Sequence, residues 1–182
     1  METHKNLKIG FAGHGRLHNV NDKLKKRLTK AVMKEINDGC LLYTMGTYGD
    51  FDNLALTVCK ELRQKNTNIE IEVVLTSINQ IKNNLNYEGV QTIIYEIENE
   101  HYKNRITSSN RQMINSCTTL ICYVDMRRLR SGAKKTLIYA KKKGLKIINL
   151  YRPDDDPLYL LSEEEKEKKF KDWLKNSSHL LQ

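Results

Sequence analysis

The chain has 182 residues, of which 39% are hydrophobic and 29% charged, with a formal net charge of +9. That is enough for one well-buried domain and short for two. No stretch approaches the ~18 apolar residues of a membrane helix, and the N-terminal METHKNLK lacks a signal-peptide core, so a cytoplasmic protein that does not enter a membrane is expected.

Short β-rich runs alternate with helical patterns along the chain. Strands are expected at 7–12, 40–44, 69–76, 92–96, 119–124 and 146–150, and helices at 22–37, 53–65, 102–115 and 133–143. Within 53–65, Leu54, Val58 and Leu62 recur every four residues and mark a buried face. The run LICYV at 120–124 is continuously apolar, as parallel strands covered on both faces are. The alternation predicts an α/β protein, a doubly wound, mostly parallel Rossmann-like sheet with helices on both faces. Pro153 and Pro157 both fall in RPDDDP and end the core, so a domain over 1–152 is expected, followed by a linker and helix over 153–182. Ser162 and Glu165 form a capping box that opens this last helix, and Phe170, Trp173 and Leu174 form a stripe expected to pack on the domain.

Cys40, Cys59, Cys117 and Cys122 lack CxxC spacing and read as buried thiols. His4, His18 and His101 have no metal-ligand spacing, and neither a metal nor a cofactor is expected. The lysines concentrate at 23–30 and 134–143, in runs that read as solvated helix faces without interleaved aromatics. A basic surface favours anionic partners without choosing among them.

In a parallel α/β sheet, ligands bind beyond the carboxyl ends of the strands, and four segments are candidates for that position. The first, GHGRLH at 13–18, offers Gly13, His14 and Arg16 to an anion. The second, GTYGDFD at 46–52, runs from a strand into a helix. There Gly46 and Gly49 allow close approach, Thr47 adds a hydroxyl, and Asp50 and Asp52 can cap the helix or accept sugar hydroxyls. The third, SSNRQMI at 108–114, carries Asn110 and Arg111, the latter suited to phosphate or to an interhelical salt bridge. The fourth, RSGAKKT at 130–136, is another strand–turn–helix passage, in which Ser131, Gly132, Ala133 and Thr136 suit a phosphate. The acidic YEIENEH at 95–101 supplies Glu96 and Glu98 as candidates for acid–base chemistry, or simply a solvated loop.

The segments GHGRL, YTMGTYGDFDNLAL, YEIENEHYKNRI, SNRQMINSCTTLICYVD and RSGAKKTLIYAKKKGLKIINLY, in this order, resemble the SLOG superfamily. This Rossmann-like group includes the LOG (Lonely Guy) phosphoribohydrolases and the Smf/DprA proteins, and the closer likeness is to a bacterial and phage branch of it. The resemblance implies a nucleotide or nucleotide-derived ligand, with Arg111 and the Ser131–Thr136 turn matching the LOG arginine and phosphate turn. It also implies a homo-dimer or higher oligomer. The glutamate that follows the turn in LOG enzymes has no counterpart, because Leu137, Ile138 and Tyr139 follow Thr136. A sensor or sequestering protein in nucleotide signalling, for instance in phage–host conflict, is therefore the leading expectation. A nucleotide N-glycoside hydrolase or transferase would need Glu96, Glu98 or Asp50 as its carboxylate. A DprA-like nucleic-acid binder using the lysine-rich helices is the third expectation.

Overall fold

The computed structural model describes residues 7–17, 22–65, 68–77, 87, 89–95, 101–129, 131–155, 164–165, 167–169 and 171–172. The chain divides into two units, Met1–Tyr151 and Arg152–Gln182. Among the described residues the first unit holds six strands: β1 (Lys8–Gly13), β2 (Leu42–Met45), β3 (Glu70–Leu75), β4 (Gln91–Ile94), β5 (Thr119–Tyr123) and β6 (Lys146–Asn149). Its described helices are α1 (Asp22–Asn37), α2 (Asp50–Lys65), α3 (Tyr102–Asn115) and α4 (Gly132–Lys142). In the second unit a short 3-10 turn spans Pro153–Asp155. Ser162, Phe170, Trp173 and Leu174 lie outside the described residues.

The strands form one sheet in the order β4-β3-β2-β1-β5-β6, and every described pairing is parallel. The expectation of a mostly parallel sheet thus becomes a wholly parallel one. From β1 the chain winds outward through β2, β3 and β4, then returns to the other side of β1 for β5 and β6. This reversal makes the carboxyl ends of β1 and β5 a topological switch point, where neighbouring loops part and leave a crevice.

Side-chain alternation divides the buried apolar residues into two layers. Ile9 and Phe11 of β1, with Ile121 and Tyr123 of β5, join the α1 and α2 residues Leu24, Leu28, Val32, Phe51 and Val58. Ala12, Leu120 and Cys122 join Met113, Ile114, Leu137 and Ala140 of α3 and α4 on the opposite face. Gly10 belongs to that second layer, since a Cβ there would stand 3.0 Å from the Cys117 sulfur. All four cysteines are buried free thiols.

The structure moves one boundary that bears on the site. α2 begins at Asp50, three residues before the expected start, because Phe51 is itself an anchor of the buried stripe. The Asn53 N–H donates to the Gly49 carbonyl at 3.0 Å and closes the first turn. Asp52 is therefore a helical residue of that turn.

Candidate functional site

A cleft of about 380 Å³ opens at the switch point. Its wall is drawn from β1 and its loop (Phe11, Ala12, Gly13, His14, Gly15), the β2–α2 turn (Tyr48, Gly49, Asp52), α3 (Ile106, Asn110) and the start of α4. Arg128, Ser131, Gly132, Ala133 and Thr136 make up this last part. The four segments singled out in the sequence thus each contribute to one cavity.

Their glycines serve different ends. A Cβ on Gly13 would overlap the Phe51 ring, and one on Gly49 would come within 2.7 Å of the Gly15 Cα. A Cβ on Gly46 would stand 3.2 Å from Asp52 Oδ2. These three glycines let protein pack against protein. Gly132 differs: nothing lies within 4 Å of the position its Cβ would take, and the residue is exposed.

The β1 and β2 loops are joined by backbone. The Asp50 N–H donates to the Gly15 carbonyl at 3.0 Å, and the Leu17 N–H donates to Asp50 Oδ2 at 2.9 Å. Asp50 accordingly braces the loop and is not part of the cleft lining. Gly46, Thr47, Arg16 and Arg111 are also absent from the lining. Arg111 is exposed on α3, its guanidinium carbon 5.7 Å from the centre of the Tyr139 ring. Glu96 and Glu98 lie outside the described residues.

His14 links β1 to β5 and α4. Its backbone N–H donates to the Tyr123 carbonyl at 3.2 Å, and its Nε2 accepts the Asp125 N–H at 2.8 Å. A ring nitrogen that accepts carries no proton, so Nδ1 holds it and faces Ser131 Oγ at 3.3 Å. Burial and then the Arg128 charge lower the His14 pKa to about 4, against a smaller opposing influence of Asp125. At neutral pH His14 is an uncharged latch between loops.

Ser131 is the N-cap of α4, its hydroxyl accepting the Lys134 N–H at 3.1 Å. Its carbonyl accepts the Lys135 N–H at 3.2 Å. The N–H groups of Gly132 and Ala133 remain among the unpaired donors of a helix start, at the end where the helix dipole is positive. Arg128 brings a full charge to the same end of the cleft. The preceding loop is held stiffly: Arg127 Nε and Nη2 donate to the two oxygens of Asp125 at 2.9 and 2.8 Å. This bidentate pair holds the Asp125 carboxyl well below the usual carboxylate range. Asp125 is thereby committed to Arg127, and among the described residues no carboxylate pairs with Arg128.

Asp52, on the first turn of α2, also lines the cleft. Its Oδ2 accepts the Tyr48 N–H at 3.2 Å. Burial pushes its pKa up to about 7, and the Tyr48 N–H opposes the rise only in part. The cleft lining thus combines donors and positive charge from Arg128 and the start of α4 with acceptors from Asp52 of α2 and Asn110 of α3. Sequence reasoning had recognised Asp52 as a first-turn acid without placing it, and it missed Arg128, Tyr48 and Ile106. The spacing of Ile106 and Asn110, one helical turn apart on α3, was an available signal.

Among the described residues no three His, Cys, Asp or Glu side chains gather as a metal site, and no helix is long and apolar enough to cross a membrane. In comparisons with known proteins, no family model matches the sequence and no curated protein matches it significantly.

Proposed function

We propose that this chain binds a nucleotide-derived small molecule in the switch-point cleft and acts as a sensor or sequestering protein in nucleotide signalling. The observation that carries this reading is the α4 end of the cleft. There the Gly132 and Ala133 N–H groups and the Arg128 guanidinium are available to an anion beside the open space over Gly132. The resemblance to the SLOG superfamily supports the same ligand class, and its phage branch suggests phage–host conflict as the setting. Native mass spectrometry against a panel of linear and cyclic nucleotides tests it. A bound, intact nucleotide is the expected result, and no binding across the panel would refute it.

A second reading, an N-glycoside hydrolase or transferase, is favoured by the presence of a carboxyl group, Asp52, in the cleft lining. In that reading Asp52 joins Asp50, Glu96 and Glu98 as a candidate acid or base. The same experiment separates the two, because an enzyme would release a free base. A nucleic-acid reading gains less support. The lysine-rich helices α1 and α4 pack on opposite faces of the sheet.

A further inference from the structure

Given the nucleotide reading above, on which this rests, the remaining question is which part of the ligand lies at which end. We propose that Asp52, with Asn110 beside it, determines specificity: its carboxylate accepts hydrogen bonds from N–H or O–H donors of the nucleoside, while the phosphate lies at the Arg128–Gly132 end.

The geometry is specific to this pair. Asp52 and Asn110 come from different elements, α2 and α3, yet their oxygens converge on Gly46. The Asp52 Oδ2 and Asn110 Oδ1 atoms lie 3.2 and 3.9 Å from where a Gly46 Cβ would be. A larger residue at position 46 would push into the carboxylate, so Gly46 keeps room for it. A carboxylate offers about four acceptor positions. Here the Tyr48 N–H fills one, and among the described residues no cation pairs with the group. It is therefore not half of a structural ion pair, and the residue is part of the cavity lining.

The surroundings suit a nucleoside. Tyr48 and Ile106 line the same cleft and are 47% and 38% exposed, leaving an aromatic and an aliphatic side chain without full cover. A flat heterocycle placed there loses apolar surface to water on both partners. A phosphate beside Asp52 would meet its charge, whereas beside Gly132 it meets the start of α4, with Arg128 in the same lining. Electrostatics alone therefore orients the ligand.

The ionisable groups around Asp52 are few. His14 on the β1 loop is neutral near pH 7, Tyr48 and Tyr87 are phenols, and Arg128 is the lining cation; α3 presents the uncharged Ile106 and Asn110. Asp52 is thus the lining side chain that changes charge near neutrality, with its pKa raised to about 7 by burial. Protonation turns one of the carboxyl oxygens into a donor and removes the charge that strengthens the other acceptor positions, so wild-type affinity should rise between pH 6 and pH 8.

The test is calorimetric titration of wild type and Asp52→Asn with AMP, GMP, CMP and UMP, their 2′,3′-dideoxy forms, and inorganic phosphate, each at pH 6 and 8. At pH 8 the variant should bind the preferred nucleotide about tenfold or more weakly, in line with the loss of a charged hydrogen bond. Its affinity for inorganic phosphate should stay unchanged. The rise from pH 6 to 8 should shrink in the variant; ligand titration is common to both proteins and cancels in the comparison. Loss on removing the diol would identify ribose as the donor, and discrimination among the four bases would identify the base edge. Equal nucleotide affinity in wild type and variant, equal loss of phosphate binding, or tighter wild-type binding at pH 6 would overturn the assignment of Asp52 alone. Failure of wild type to bind any of these nucleotides would overturn this proposal, and absence of binding across the wider linear and cyclic panel would overturn the reading of the cleft on which it rests.

Discussion

Two residues of the cleft have pKa values moved by burial in opposite electrical senses, and both should be visible in stability. His14 titrates near 4 when folded and near 6.5 when exposed in the unfolded chain. The unfolded chain binds more protons between those values. The contribution of neutral His14 is therefore complete above pH 6.5 and is lost as pH falls toward 4. Urea unfolding of wild type and His14→Gln across this range should show the difference between them shrinking as pH falls. Asp52 behaves conversely, because its folded pKa of about 7 exceeds the ordinary 3.8. Here the folded state binds more protons, so stability falls as pH rises from about 4 to 7. Asp52→Asn can still accept the Tyr48 N–H and carries no charge to bury. Its midpoint should match wild type near pH 4 and exceed it at pH 8, and an equal midpoint at pH 8 would show that Asp52 is not desolvated.

At the scale of elements, the sequence made the sheet legible and left the loops ambiguous, for a physical reason. Periodicity records burial, and a buried stripe such as Leu54, Val58 and Leu62 is continuous enough to read. A glycine records only that a Cβ is unwelcome, without saying whether protein or ligand is in the way. Gly13 and Gly132 make the contrast testable. Gly13→Ala drives a methyl into Phe51 and should destabilise by about 1–3 kcal/mol, the usual cost of overpacking. Gly132→Val, with open space before it, should leave the melting temperature nearly unchanged while abolishing nucleotide binding. A large loss of stability in the Gly132 variant would mean that this turn, too, is glycine for packing. Helix geometry likewise explains why Arg111 was singled out and Arg128 was not. On α3, Asn110 shares the cleft-facing side with Ile106, and the next residue is turned about 100° away, which leaves Arg111 over Tyr139. Arg128 sits on an irregular loop, where no periodicity marks its direction.

For the whole molecule, the net charge of +9 invites the view that affinity for anions is a bulk property, and the architecture argues otherwise. α4 starts at the cleft with Gly132 and ends with Lys141 and Lys142, followed by Lys143. At 1.5 Å per residue those lysines lie roughly 14–16 Å along the helix from its start. That exceeds the screening length of about 8 Å at physiological salt, so their charges reach a bound phosphate only weakly. Arg128, in the cleft lining, is unscreened by comparison. Replacing Lys141, Lys142 and Lys143 together by Gln should thus leave nucleotide Kd within about twofold at that salt and slow association only at low ionic strength. Arg128→Ala should weaken binding about tenfold or more, the scale of one charge-assisted hydrogen bond. Arg111→Ala should stay close to wild type. If the triple lysine variant lost more affinity than Arg128→Ala, with a steep salt dependence, the bound species would be tracking an extended basic surface, as a nucleic acid does through counterion release.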